Sequence, residues 1–273
     1  MLKSIITCGG KGTRLLPFTK ELPKEMAPIF SVNDSNVELK PLIQQIFENL
    51  FSCGVRQFCF VSGKTKRALQ DHFYPDQQKN IPNSLLSFYE MITSSQIAWM
   101  NQLIPKGFGD AVLTAKPFVG DDAFLVQAGD VVLSSTDNSS IKKLMELSKN
   151  KDIEAGFLIK EVEDPERHGI VTVKPENEFF SITKAIEKPS QPETNLGIIP
   201  FYFFRSSIFD ALEQISPGYG NELQLTDAIQ KIIESGKKVA AIKITQDTIL
   251  DVGTPESYKE AIELSYSLSI ERD

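Results

Sequence analysis

Short apolar runs alternate along this chain with stretches whose apolar residues recur at helical spacing. That alternation predicts crossover units around a mostly parallel sheet, an α/β fold. Leu2 to Cys8 reads as the first strand and Gln57 to Val61 as another. Between them, Leu42, Ile43, Ile46, Phe47 and Leu50 fall on one face of a helix spanning Pro41 to Cys53, which supplies the crossover. A short helix is expected at Thr65 to Phe73, and another opens after a glycine-rich turn at Gly109 to Lys116. The strand Ala123 to Gln127 then delivers Gly129-Asp130-Val131 at its end. Ligands of open α/β sheets gather at such carboxyl ends.

From about Asp152 the pattern changes. Ile153 to Ile159, Gly169 to Val173, Phe179 to Ile186 and Gly197 to Phe204 read as strands with few helices between them, which suggests a second lobe over the sheet. Helices at Ser206 to Gln214 and Glu222 to Glu234 follow, then the strand Val239 to Ile244. In the second of these helices Leu225, Ile229, Ile232 and Ile233 share a face, so its expected role is packing. The last helix announces its start with Thr254 as N-cap and Pro255 at the first helical position. Asp251-Val252-Gly253 therefore sits in the turn just before it.

Composition narrows the function classes. A chain of 273 residues suits one large α/β domain, or a core with a modest lobe. With 29 basic and 36 acidic side chains the net charge is −7, and no dense Lys/Arg tract appears, which argues against nucleic acid as the main partner. No signal-peptide pattern and no apolar stretch near ~18 residues is present, so the expectation is a cytosolic protein without a membrane partner. The three cysteines, Cys8, Cys53 and Cys59, stand singly beside apolar residues and read as buried reduced thiols.

The densest chemistry lies in Cys8-Gly9-Gly10-Lys11-Gly12-Thr13-Arg14, set directly after the first strand and followed by Pro23-Lys24-Glu25-Met26. Glycines let the backbone approach a polyanion and turn its N–H groups inward. Arg14 can fork onto phosphate oxygens, and Lys24 adds a point charge behind a stiffening proline. Spacing excludes two common phosphate loops. A Walker A loop needs four residues between its first glycine and Gly-Lys-Ser/Thr, whereas Lys11 here is followed by Gly12. A dinucleotide fingerprint starting at Gly10 would require glycine where Leu15 stands. A glycine-rich turn without ligand is the plain alternative, and Arg14, Pro23 and Lys24 weigh against it.

The run from Gly10 to Pro17, together with Pro23-Lys24-Glu25-Met26-Ala27-Pro28-Ile29, resembles the signature of sugar-1-phosphate nucleotidylyltransferases, and among them the bacterial-type UTP:glucose-1-phosphate uridylyltransferases. Further matches follow in chain order. They are Lys40-Pro41-Leu42-Ile43, Gln102 with Pro105-Lys106-Gly107-Phe108-Gly109, Gly129-Asp130-Val131, Glu187-Lys188-Pro189, Asn195, the segment from Glu222 to Ile229, and Asp251-Val252-Gly253. The resemblance implies a Rossmann-like three-layer, GT-A-like nucleotidyltransferase fold with a mostly parallel central mixed sheet and a smaller sugar-binding lobe. It implies a single domain over 1–273, with 1–135 mainly nucleotide-binding, 136–250 mainly sugar-phosphate-binding and 251–273 the C-terminal helix.

The implied reaction is Mg²⁺-dependent transfer of a nucleotidyl group from UTP, or from dTTP, to glucose 1-phosphate or another hexose 1-phosphate, with release of pyrophosphate. A sugar phosphate is already ionised at pH 7, because a phosphate monoester has its second pKa near ~6, so no general base is required. That suits a chain with two histidines. Asp130 and Asp251 match the metal-binding aspartates, and Mg²⁺ is usually held by one or two carboxylates plus substrate phosphates. The resemblance assigns the nucleotide to Gly9, Gly10, Gly12, Thr13, Arg14, Lys24, Gln102 and Gly107. Arg14 would grip the departing β- and γ-phosphates, Lys24 the α-phosphate, and Gln102 the edge of the base.

On the other side, Lys188 would hold the phosphate of the sugar, Glu187 its hydroxyls, and Gly169 and Ile198 would line the sugar pocket. Three positions depart from the family pattern: His168 stands where an aromatic residue is usual, Pro200 where glycine is, and Asp110 where close relatives often carry histidine. Family members self-associate, so a dimer or tetramer is expected; the terminal helix bearing Tyr258, Ala261, Ile262 and Tyr266 would either serve as an interface or pack on its own sheet. A non-catalytic sugar-nucleotide sensor is the other reading. Such a protein would be expected to lose a charged group, yet Arg14, Lys24, Asp130, Lys188 and Asp251 are all present.

Overall fold

The first strand, β1 (Lys3–Cys8), buries every residue after Lys3, as a strand does when both faces of its sheet are covered. The computed structural model describes residues 2–33, 36–64, 66–75, 81–135 and 137–270; Thr65, the expected start of the short helix, and 271–273 lie outside them. A hairpin of β2 (Pro28–Asn33) and β3 (Asn36–Pro41) leads into α1 (Leu42–Ser52) and β4 (Gln57–Ser62). Then come α2 (Arg67–His72), α3 (Asn83–Thr93), β5 (Gln96–Asn101), α4 (Phe108–Thr114), α5 (Lys116–Val119) and β6 (Phe124–Ala128). The single helix expected at Gly109 to Lys116 is thus two, because Pro117 has no N–H to continue the ladder.

The second half supplies β7 (Val131–Ser134), α6 (Ser139–Leu147), β8 (Ile153–Glu161), β9 (Gly169–Glu176), β10 (Phe179–Glu187) and β11 (Leu196–Phe204). It ends with α7 (Ser207–Gln214), α8 (Leu225–Glu234), β12 (Lys238–Lys243), β13 (Thr248–Asp251) and α9 (Pro255–Ile270). Nine strands form one mixed sheet in the order β5-β4-β1-β6-β11-β8-β12-β10-β9. Strands β5, β4, β1 and β6 run parallel, as do β8 and β12, while β11 is antiparallel to both of its main neighbours.

The later strands do not lie over the sheet as an independent layer. They extend it, and Gly197 of β11 also pairs with Ile170 of β9, so β11, β8, β12, β10 and β9 close a ring. The smaller lobe is therefore the sheet's own end, curled back on itself. Alternation along the central strands splits the core into two faces. Ile6, Phe58 and Phe60 pack with α1, whereas Ile5, Cys59 and Val61 pack with α4, α7 and α8 residues such as Val112, Phe209 and Ile229. Helices on both faces of a sheet make three layers.

All five apolar residues that mark α1 in the sequence are fully buried. Phe47 is the hub: its ring lies 4.6 Å from Phe58, 5.2 Å from Phe73 and 5.8 Å from Phe88. Cys8 and Cys59 are buried free thiols, as expected, and burial pushes the Cys59 thiol up to about 12; Cys53, at the end of α1, is only half-buried. The start of α9 follows the expected cap. Ser257 N–H donates to Thr254 Oγ1 at 3.1 Å and Thr254 N–H to Ser257 Oγ at 3.0 Å, a reciprocal box with serine in the usual Glu/Gln place. This helix packs on its own chain: Ala261 joins the core and Tyr258 Oη donates to the Pro28 carbonyl. Among the described residues no helix is long and apolar enough to cross a membrane.

Truncating the hub removes contacts to several rings at once. Phe47→Ala is expected to lower stability by about 3–5 kcal/mol. Urea unfolding checks this as a fall in midpoint at unchanged slope.

Candidate functional site

The loop leaving β1 is shaped by what surrounds its glycines. A Cβ on Gly9 would collide with Gln102 Oε1, and Gly12 takes the left-handed conformation at φ 66°, which favours glycine. The Gly12 carbonyl accepts from Thr19 Oγ1 at 2.6 Å and from Leu15 N–H at 2.9 Å, which closes a tight 3₁₀ turn over Thr13, Arg14 and Leu15. Gly9, Gly10 and Gly12 line a cleft with Lys24 and Gln102. Among the described residues its charged lining is Lys11, Lys20, Lys24, Lys64 and Lys66 against Glu21, a surplus suited to a polyanion. Thr13 and Arg14 lie beside this lining, and the Arg14 guanidinium would stand 3.5 Å from a Cβ on Gly253, toward the Asp251 end.

Pro23 introduces another 3₁₀ turn, Lys24 to Met26, whose successive side chains diverge. Lys24 forms an ion pair with Asp130. Burial alone would raise the Asp130 carboxyl, but the ammonium beside it wins and holds it below the usual carboxylate range. Glu25 turns inward, 1% exposed, and accepts from Lys66 Nζ at 2.7 and 2.8 Å. Here burial outweighs the lysine and leaves the Glu25 carboxyl above its ordinary value. Lys66 and Glu25 carried no assigned role in the sequence, although Glu25 sits inside the most informative motif.

Asp130 lies between β6 and β7, and β13 pairs with β7 so that Asp251 faces Val131. Val252 N–H also donates to the Asp130 carbonyl at 3.0 Å, which brings the two expected metal ligands together at adjacent strand ends. Asp251 Oδ1 accepts from Gly253 N–H and from Ser257 Oγ at 3.1 Å. Desolvation, then the like charge of Asp130, push the Asp251 carboxyl up. Two facing carboxylates that repel each other form a hard, oxygen-only donor set, and this fits Mg²⁺. Among the described residues no group of three or more His, Cys, Asp or Glu side chains could hold a metal, so the other ligands of such an ion would be water or phosphate oxygens.

The curled lobe brings together the residues expected to hold the sugar phosphate. Glu187 Oε2 accepts from Thr226 Oγ1 at 2.7 Å. A Cβ on Gly169 would lie 2.9 Å from that hydroxyl, 3.1 Å from Glu187 Oε2 and 3.3 Å from Ile198 Cδ1, so a larger residue there would push these groups aside. Lys188 holds a left-handed backbone at φ 45°, its N–H bonded to the His168 carbonyl at 3.0 Å. Its Nζ stands 3.5 Å from Glu187 Oε1 and 4.9 Å from the centre of the Tyr219 ring. His168 is half-buried, and desolvation lowers its pKa. Thr226 and Tyr219 carry no signal in hydrophobic periodicity; the segment from Glu222 to Asp227 matches the family, yet its pattern pointed only to packing.

Gln102 is buried at 4% exposure, with its amide nitrogen donating to Asp110 Oδ2 at 2.6 Å and to the Gly107 carbonyl at 3.2 Å. Gly107 itself has φ 118°, and a Cβ there would come within 2.7 Å of the Leu223 carbonyl oxygen. Packing against Leu223 thus requires a glycine at 107, and the residue stands behind Gln102 rather than in the cleft lining.

A sequence model of nucleotidyl transferases matches residues 3–266. The chain belongs to that family. A UTP–glucose-1-phosphate uridylyltransferase of Streptococcus pyogenes is 38% identical over 247 residues, covering 84% of this chain and 78% of the relative. One from Pseudomonas aeruginosa is 33% identical over 276 residues, 97% of this chain and 95% of the relative. A crystal structure of UDP-glucose pyrophosphorylase complexed with UDP-glucose superposes with a TM-score of 0.87 at 31% identity, over 98% of this chain and 100% of that one.

In this nucleotidyl transferase the Glu25–Lys66 pair invites a direct test. Lys66→Met leaves a buried carboxylate uncompensated and should cost about 3–5 kcal/mol at neutral pH. Glu25 already has a raised pKa in the folded protein, and losing the lysine raises it further. As pH falls through that raised value the folded state takes up a proton before the unfolded one does, so the penalty shrinks. Urea midpoints of both proteins across pH check it; a penalty independent of pH would contradict the assignment.

Proposed function

We propose that this nucleotidyl transferase transfers UMP from UTP to glucose 1-phosphate, forming UDP-glucose and pyrophosphate. The observation that carries the reading is the convergence of the lysine-rich cleft on two aspartates at adjacent strand ends: Lys24 of the cleft pairs with Asp130, Val252 N–H ties the Asp251 strand to the Asp130 carbonyl, and Arg14 reaches toward Gly253 beside Asp251. The relatives named above support the choice of UTP and glucose 1-phosphate.

In the proposed step an ionised oxygen of the sugar phosphate attacks the α-phosphorus of the triphosphate. The new P–O bond forms as the bond to the β-phosphate bridging oxygen breaks, and pyrophosphate leaves with that electron pair. No base need remove a proton, since the attacking phosphate is already ionised. The histidines agree with this: half-buried His72 stacks on Phe88, and His168 is biased to the neutral form. The chain's work is then positioning and charge neutralisation. Lys24 steadies the α-phosphate, Arg14 and the glycine loop hold the group that departs, and Lys188 draws in the sugar phosphate. Glu187, kept in place by Thr226, accepts from sugar hydroxyls. Asp130 and Asp251 would hold Mg²⁺, which offsets the repulsion between two anionic substrates when bound.

The test is pyrophosphate release from a panel of nucleoside triphosphates and sugar 1-phosphates, with Mg²⁺ and with chelator. UTP with glucose 1-phosphate is expected to be the most active pair, and release from no pair would sink the proposal. Asp130→Ala and Asp251→Ala should each lower kcat by about a hundredfold or more with circular dichroism unchanged. Wild-type turnover in either variant removes that residue from the metal site.

A further inference from the structure

Asp110, with the Gly107 carbonyl, sets which way the Gln102 side chain points. An amide can be turned by 180° with little change in shape, so its orientation must be read from its partners. One terminal atom of Gln102 faces both Asp110 Oδ2 at 2.6 Å and the Gly107 carbonyl oxygen at 3.2 Å. A carbonyl only accepts, and so does an ionised carboxylate. The atom between them must therefore be the nitrogen, because the reverse orientation would set an oxygen against two others. The remaining atom, Oε1, then faces Gly9 at the wall of the cleft.

The surrounding backbone holds this arrangement in register. Leu223 N–H donates to the Lys106 carbonyl at 2.7 Å and the Leu223 carbonyl accepts from Gly109 N–H at 2.8 Å, which clamps the loop that carries Asp110 into α4. We propose that Asp110 is a positioning residue for base choice: it fixes Gln102 with its carbonyl oxygen toward the cleft, and so selects a pyrimidine that offers a ring N–H. Uracil and thymine carry a proton on N3. Cytosine carries a lone pair there and meets the Gln102 oxygen with repulsion. The inference rests on the reading of this cleft as the nucleoside triphosphate site.

Asp110→Asn tests it, since asparagine keeps the shape but loses the charge and can donate to a turned Gln102 Oε1, which leaves the longer contact to the Gly107 carbonyl as the one remaining bond that resists turning. The ratio of kcat/KM for UTP over CTP should fall at least tenfold in this variant, through the nucleotide terms, while KM for glucose 1-phosphate stays within twofold. An unchanged ratio in an active variant overturns the proposal. A second measurement does not depend on turnover. The Gln102 side-chain NH₂ signals, assigned by their loss in Gln102→Glu, should exchange slowly in the wild type and at least tenfold faster in Asp110→Ala. Equal exchange in both overturns the positioning role. If the wild type uses no pyrimidine triphosphate, the reading of the cleft fails by that result, and the amide signals still decide whether Asp110 holds Gln102.

Discussion

Beneath the glycine loop, Lys66 donates two hydrogen bonds to Glu25 almost out of reach of water, and the cleft is built on that pair. Taking two charges out of water is expensive, so such a pair is weak evidence for stability by itself. Its effect here is directional. A 3₁₀ turn sends consecutive side chains to different sides, and with Glu25 anchored inward Lys24 is aimed at Asp130. The same carboxylate adds to the burial that pushes the neighbouring Cys8 thiol well above its usual value, which leaves that cysteine inert under the loop. One buried contact thus orders the end of β1, the lysine turn and the neighbouring aspartate together.

The sheet explains why the rest of the site meets this point. Strand β6 ends beside β1, and Gly129 N–H bonds to the Thr7 carbonyl at 2.9 Å. A Cβ on Gly129 would lie 2.8 Å from Cys8 Sγ and 2.9 Å from that carbonyl, so only glycine lets the chain turn there and release Asp130 into the cleft. The short pairing of β13 with β7 then carries Asp251 to the same edge. Two carboxylates side by side would repel, and Lys24 relieves one of them. Asp251 is less relieved: burial first, and then the like charge of Asp130, raise its pKa, and a divalent cation would offset both.

Much of this was legible in the chain. Strands buried on both faces, such as β1 and β4, read as continuous apolar runs, and α1 showed its buried face at helical spacing. The hairpin β2–β3 and strand β5 were not legible, because they are half-buried and their burial pattern has no clear period. The strands of the curled lobe were placed correctly along the chain, but their partners were not, since strand pairing is set by contacts distant in sequence. The site follows the same division. Residues flagged by motif converge, while the groups that hold them do not announce themselves: Lys66 is 41 positions from Glu25, and Thr226 is 39 from Glu187. Asp110 stands out in the sequence only as a departure, and its partner became visible once the loop from Gln102 was folded.

Pro200 illustrates how such a departure is absorbed. Proline has no N–H to give a ladder and is confined within sheets to edges, strand starts and bulges, yet this one lies inside β11, a strand with neighbours on both sides. The register of β11 against β8 shifts between Ile199 and Tyr202, and its pairing with β6 begins only at Phe201. Pro200 therefore falls in a gap where neither neighbour pairs with it. Upstream of that gap Gly197 and Ile198 remain in step with Lys160 and Ile159, and Gly197 also reaches Ile170 next to Gly169. The irregularity lies downstream of these residues, so the chain keeps Ile198 near Gly169 and Glu187 while tolerating a residue that a regular central strand would reject.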